Sequence, residues 1–139
     1  SRNPADTIVQ AADSSNHVFE VTADYVNIRG FTVKGAGYYL EGWKAGIYLN
    51  SVAHCNISKN NLSTNTYGIH LYSSPNNTLF LNDILRNSAS DMGYGIYLNT
   101  SFSNTIRNNS ILLNDKGIVV EHSSNNEIID NNLSADGAF

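Results

Sequence analysis

The sequence predicts an all-β fold: a right-handed, single-stranded parallel β-helix of four to five coils, each about 22 residues long. Three observations predict it. A four-residue start recurs as Gly46-Ile47-Tyr48-Leu49, Gly68-Ile69-His70-Leu71, Gly95-Ile96-Tyr97-Leu98 and Gly117-Ile118-Val119-Val120, at intervals of 22, 27 and 22 residues. Two further apolar columns keep step with it, eight and then five residues on: Ile57, Leu79, Ile106 and Ile128, followed by Leu62, Ile84, Ile111 and Leu133. Asparagine returns at fixed offsets, three residues past the second column (Asn60, Asn82, Asn109, Asn131) and two before it (Asn77, Asn104, Asn126, with Cys55 in the first copy).

Each element has a physical reason. Gly-Ile-x-Leu alternates apolar and other residues with the period of a strand. A strand this short cannot bury its apolar side alone, but stacked copies can, with Ile on Ile and Leu on Leu, one strand spacing of roughly 4.8 Å per coil. The glycine is expected to mark a corner with no room for a side chain, or one that needs positive φ. Ser, Thr and Asn fill the connections as turns require. Stacked asparagines can hydrogen-bond from coil to coil, so they are read as structural rather than as ligands. A leucine-rich repeat is the rival, because Asn104-x-Ile106-x-x-Asn109-x-Ile111 overlaps its consensus. Its first leucine is Cys or Asn in all four copies, however, and no helical face follows. Right-handed coiling is the rule for parallel crossovers.

Taken in order, residues 7–11 suggest the strand of a partial coil, and 17–45 a divergent coil in which Phe19-Glu20-Val21, Ile28 and Val33 fill the columns. Residues 46–67, 68–94, 95–116 and 117–139 are the regular coils. The whole, 1–139, reads as one domain and as a segment of a longer protein. The third column lies 7 residues before the next start in two copies, but 14 and 12 before it after Val33 and Ile84. Two insertions, roughly Lys34–Ala45 and Leu85–Tyr94, therefore leave the stack at one corner, two coils apart. Loops on a rigid scaffold are where binding sits.

Composition narrows the function. A net charge of −4 with eight scattered Lys and Arg excludes a nucleic-acid footprint, and no run reaches membrane-spanning length. The single cysteine, Cys55, allows no internal disulfide and reads as a small buried residue. His17, His54, His70 and His122 fall in different columns and read as surface residues rather than metal ligands. One Met and one Cys make no soft copper cluster.

The outer side of the Gly-Ile-x-Leu strands carries the functional reading. Tyr48, His70 and Tyr97 lie between the apolar pair; Asn50, Tyr72, Asn99 and Glu121 follow it; Tyr67 and Tyr94 precede the glycine; Trp43 stands in the first insertion. Aromatic rings beside Asn and Glu suit carbohydrate, with rings against the apolar side of sugars and polar groups on their hydroxyls. The plainer reading is that Tyr is a good strand residue. For catalysis, Glu41 and Asp91 are the only carboxylates that the two insertions could bring together, with Lys44 or Arg86 beside them. Glycoside hydrolysis needs such a pair at about 5–9.5 Å, and uronate lyase chemistry needs acidic Ca²⁺ ligands and a base.

The copies Gly95–Ile111 and Gly117–Leu133, with Val18–Val33 before them, resemble the right-handed parallel β-helix repeats of the NosD-like group, also described as carbohydrate-binding proteins and sugar hydrolases. The likeness covers roughly residues 8–135. It is similar in particular to the β-helix segments of archaeal surface-layer and secreted proteins. The resemblance implies an extracellular or cell-surface place. Enzymatic relatives include pectate lyases and alginate epimerases, but the epimerase Asp-Pro-His motif and any lyase signature are absent. The NosD name implies copper, for which this chain's ligands look insufficient. The expectation is a non-catalytic module binding polysaccharide or glycan, with no resident cofactor unless Ca²⁺, and with self-association through open coil ends. A fragment of a polysaccharide lyase or hydrolase and a structural surface-layer spacer are the alternatives. Six Asn-x-Ser/Thr sequons (Asn56, Asn61, Asn76, Asn99, Asn108, Asn132) occur in a chain so rich in Asn, Ser and Thr that it makes sequons by chance, though some would take glycan outside the cell.

Overall fold

A computed structural model describes residues 7–39, 42–88 and 92–134. These residues form a parallel β-solenoid of about five turns. A first strand, β1 (Ile8–Gln10), precedes the full coils. The first coil holds β2 (Phe19–Val21), β3 (Asn27–Arg29) and β4 (Thr32–Lys34), and then a short hairpin of β5 (Tyr38–Tyr39) and β6 (Gly42–Trp43). The second holds β7 (Ala45–Asn50), β8 (Asn56–Ser58) and β9 (Asn61–Ser63). The third holds β10 (Tyr67–Tyr72), β11 (Thr78–Phe80) and β12 (Asp83–Leu85). The fourth holds β13 (Tyr94–Asn99), β14 (Thr105–Arg107) and β15 (Ser110–Leu112), and the fifth β16 (Lys116–Glu121), β17 (Glu127–Ile129) and β18 (Asn132–Ser134). Each coil gives one strand to each of three parallel sheets, ordered β2-β7-β10-β13-β16, β3-β8-β11-β14-β17 and β1-β4-β9-β12-β15-β18.

The register is the one the apolar columns predict. Phe19, Ile47, Ile69, Ile96 and Ile118 align, as do Ile28, Ile57, Leu79, Ile106 and Ile128. In the middle coils these side chains are fully buried, and burying each contributes about 1.5–3 kcal/mol. In the fifth coil Val120, Ile128 and Leu133 remain 41–48 % exposed.

Four rows of side chains tie the coils together, two more than the sequence suggested. Besides the Asn60–Asn82–Asn109–Asn131 and Asn77–Asn104–Asn126 ladders there is a third asparagine ladder, Asn65–Asn87–Asn114, and a serine ladder, Ser74–Ser101–Ser123. Their geometry is shared. The backbone N–H of each ladder residue donates to the side-chain oxygen of the next coil's ladder residue, for example Asn60 N to Asn82 Oδ1 at 3.1 Å and Val52 N to Ser74 Oγ at 3.2 Å. The asparagine amides other than that of Asn104 also reach back to a carbonyl of the preceding coil, as Asn82 Nδ2 does to Ile57 O at 2.8 Å. The residue just before each ladder position is left-handed, with φ between +48° and +58° (Lys59, Leu81, Asn108 and Asp130 in one column). That single αL residue turns the chain and aims the ladder side chain inward. Cys55 is buried at the head of one ladder, its N–H donating to Asn77 Oδ1 at 2.9 Å.

The repeat glycines differ from expectation. They lie inside the strands, not at corners, and Gly46, Gly68 and Gly95 do not have positive φ. What they lack is room. A Cβ on Gly95 would stand 2.6 Å from Gly117 O and 2.8 Å from Ile111 Cγ2; one on Gly68 would stand 2.5 Å from Gly95 O. Because the glycine position and the following Ile both point at the core, the strict alternation breaks there, and the preceding Tyr67 and Tyr94 return to the outer side. Gly95→Ala is expected to lower stability by about 2 kcal/mol, read as a fall in the urea midpoint at unchanged m-value.

The ladders also fix where the insertions leave the stack. Ala36 N donates to Asn65 Oδ1 at 3.1 Å, so Ala36 still belongs to the third ladder, and Asn87 is a member of it. The backbone of Tyr67, Tyr94 and Lys116 bonds in turn to Lys44, Thr66 and Gly93. The insertions are therefore 37–43 and 88–92, shorter than the gaps suggested, and both depart just past the ladder. Asp115 closes the second: its carboxylate accepts from Ser88 Oγ at 2.8 Å and from Gly93 N at 2.8 Å.

Candidate functional site

The sheet β2-β7-β10-β13-β16 carries a continuous aromatic patch on its outer side. In one column the His17 ring stacks on Tyr48 at 4.4 Å, Tyr48 meets His70 at 5.0 Å, and His70 stacks on Tyr97 at 4.7 Å. Beside it Trp43 meets Tyr67 at 6.3 Å, Tyr67 stacks on Tyr94 at 5.0 Å, and Lys116 Nζ lies 5.3 Å over the Tyr94 ring. Edge contacts such as Tyr67–His70 and Tyr94–Tyr97 join the two columns. The strand spacing makes this arrangement: rings at equivalent positions of neighbouring coils come within stacking distance.

The predicted site residues thus come together, in unequal roles. Tyr67 and Tyr94 are buried, 4 % and 6 % exposed, under Trp43, Tyr48 and Tyr97. Tyr48, Tyr97 and Trp43 are half-buried. Tyr72, at 43 % exposure, is the tyrosine of this sheet most open to solvent among the described residues. Asn50, Tyr72, Asn99 and Glu121 form an outer row, one per coil. Within it Asn99 Nδ2 donates to Tyr97 Oη at 3.0 Å, and Tyr97 Oη donates to Glu121 Oε2 at 2.7 Å. His17, read from sequence as a separate surface residue, belongs to this site. It precedes its strand, so its column could not be counted, yet its ring caps the stack while its Nδ1 accepts from Ala45 N at 2.9 Å.

Burial sets the electrostatics. It pushes the His70 pKa down to about 4, with His17 adding to the effect, and the His70 Nε2 is buried without a hydrogen-bond partner. Burial also lowers His17, with Lys44 contributing, and raises the Tyr48 hydroxyl. The Tyr97 hydroxyl is pushed up to about 12, by burial first and by its bond to Glu121 second. The imidazoles in the stack are neutral at pH 7, and the phenols are hydrogen-bond donors there.

The catalytic candidates Glu41 and Asp91 lie outside the described residues. Among the described ones, Glu20 and Glu121 are the carboxylates at the two ends of the patch, in the first and fifth coils. Four strand steps, roughly 19 Å, separate them, well beyond the reach of a glycosidase pair.

Fold and patch together define a parallel β-solenoid that displays an aromatic surface. The chain belongs to the family described as periplasmic copper-binding protein (NosD), whose model matches residues 5–138. That description agrees, at a coarse level, with a module outside the cytoplasm. No match was found among curated proteins or among solved structures. The residues do not fit the metal in the family's description. Every His, Cys and Met of the sequence is among the described residues, and no three His, Cys, Asp or Glu of those residues converge. The Tyr48 ring lies between His17 and His70, His54 is stacked on Tyr25 at 5.0 Å, and Cys55 Sγ contacts the Ala23 and Ala53 carbonyl oxygens at 3.6 Å. Copper needs such donors around one point, and here they stand apart. No group of three carboxylate or imidazole ligands offers Ca²⁺ a site among the described residues either.

Proposed function

We propose that this is a non-catalytic module, extracellular or at a cell surface, that binds carbohydrate along the outer row of the aromatic patch. The observation that carries the reading is the Asn99–Tyr97–Glu121 chain of hydrogen bonds beside the exposed Tyr72 ring. It holds an amide, a phenol and a carboxylate in fixed positions at the surface, so little side-chain entropy remains to be lost on binding. Tyr72 supplies an open ring for the apolar side of a sugar; Asn50, Asn99 and Glu121 supply hydrogen bonds to hydroxyls. Tyr67, Tyr94 and His70 act beneath them as the rigid support. The half-buried Trp43 borders the row from the first insertion.

A glycan and polysaccharide array tests this. The parent chain is expected to retain one or a few glycans, and Tyr72→Ala and Asn99→Ala each to weaken binding by at least about tenfold, close to 1.4 kcal/mol. Both positions are on the surface, so the fold should be unchanged by circular dichroism. Binding that is equally strong in both variants, or no binding at all by the parent, overturns the reading.

A further inference from the structure

A concave surface lies on the sheet β1-β4-β9-β12-β15-β18, away from the aromatic patch. It is a shallow cavity of about 200 Å³ lined by Asn61, Asp83, Ile84, Leu85, Ser110 and Leu112. Its shape follows from two neighbouring outward columns. One holds short polar side chains, Asn61, Asp83 and Ser110, aligned across β9, β12 and β15. The next, two residues further along each strand, holds Ser63, Leu85 and Leu112. A low polar column beside two tall leucines makes a step, and the backbone at Ile84 is its floor.

The chemistry of the step is two-sided. The carboxylate of Asp83, the amide of Asn61 and the hydroxyl of Ser110 are stacked at one strand spacing, roughly 4.8 Å. None of the three is hydrogen-bonded through its side chain to another described residue. In the ladders, by contrast, the asparagines spend both ends of their amides on the fold. Asn61, Asp83 and Ser110 hold nothing in place, so the stack does not require these polar groups here. Opposite them stand the methyl groups of Leu85 and Leu112, both half-buried.

We propose that this step is a binding site for a single sugar-sized ring, a polyhydroxylated molecule with one apolar side. Its C–H side lies against Leu85 and Leu112. Its hydroxyls donate to the Asp83 carboxylate and exchange hydrogen bonds with the Asn61 amide and the Ser110 hydroxyl. A cavity of about 200 Å³ holds one such ring, not a chain. An open, shallow site binds weakly, in roughly the millimolar range. The assignment does not depend on the aromatic patch.

The test is a titration of ¹⁵N-labelled protein with a panel of monosaccharides up to about 100 mM, followed by amide chemical shifts. At least one sugar is expected to move the Asn61, Asp83, Leu85 and Ser110 signals along a saturating curve. Asp83→Ala should abolish that curve and Tyr72→Ala should leave it intact. Asp83 is exposed with no side-chain bond, so Asp83→Ala should keep the parent spectrum elsewhere. If no sugar moves these signals, or if Asp83→Ala responds as the parent does, the proposal falls. A response confined to β7, β10 and β13 also overturns it, while supporting the aromatic row.

Discussion

Replacing Asn82 by alanine is expected to lower stability by about 3–5 kcal/mol, enough to unfold a marginal domain. Asn82 is fully buried in the middle of its ladder. Its Oδ1 accepts from both Asn60 N and Asn60 Nδ2 at 3.1 Å, and its Nδ2 donates to Ile57 O at 2.8 Å and Asn109 Oδ1 at 3.0 Å. Alanine removes all four bonds and leaves the Asn60 N–H buried without an acceptor, and each such orphan costs about 1–3 kcal/mol. It also opens a gap between coils that water cannot easily fill. Asn56→Ala is the control. Asn56 sits on the outward side of the neighbouring strand, exposed and free of side-chain bonds, and should change stability by less than about 0.5 kcal/mol. Urea unfolding of the two variants, followed by circular dichroism, decides the matter. Equal midpoints would mean that the ladders are ornament and that the apolar columns alone hold the coils.

The second large effect is a pH dependence centred on His70. Its pKa in the folded chain is about 4, against an ordinary value of 6.5. The unfolded chain therefore binds the proton more readily, so between these values stability falls as pH falls. The contribution is fully present above about pH 6.5 and is lost progressively down to about pH 4, for a total of up to about 3 kcal/mol. His17, also lowered by burial, acts in the same direction. The cause is local: a proton on Nε2 would place a charge with no acceptor beside Tyr48, Tyr67, Tyr72 and Tyr97, with the nearest carboxylates, Glu20 and Glu121, at the ends of the patch. His70→Phe keeps a ring in the stack and removes the titration. Its urea midpoint is expected to lose most of the slope seen in the parent between pH 6.5 and 4. Parallel slopes for parent and variant would show that His70 is protonated without penalty and that ring stacking on a cation offsets its burial.

The columns of this fold were legible because stacking writes one residue type at one offset, coil after coil. Ile47, Ile69 and Ile96 differ in neighbours but not in environment, so spacing alone placed them. The ladder through Asn65, Asn87 and Asn114 was present in the same form, yet the insertions follow it directly and break the count to the next start, which hid the repetition. The serine ladder was hidden otherwise: its first member is Val52, which offers only a backbone N–H. Burial on the outer side was not legible. Tyr67 and Tyr94 read as display residues from their position before the glycine. Their covering comes from Trp43, Tyr48 and Tyr97, contributed by an insertion and by neighbouring coils, and strand period carries no trace of such neighbours. His17 was missed for the same reason, since it is brought onto Tyr48 by the turn that precedes β2.

The Asp115 carboxylate that grips Ser88 and Gly93 has a meaning beyond closure. The anchor points are the first residue of the second insertion and the residue just after it, and the next coil supplies the anchor. The third ladder already has its member at Asn87 before this insertion, and the backbone of Tyr94 is back in register with Thr66 after it. The position is a socket: a foreign peptide could be spliced in between the two anchors, with the coils above and below expected to keep their count.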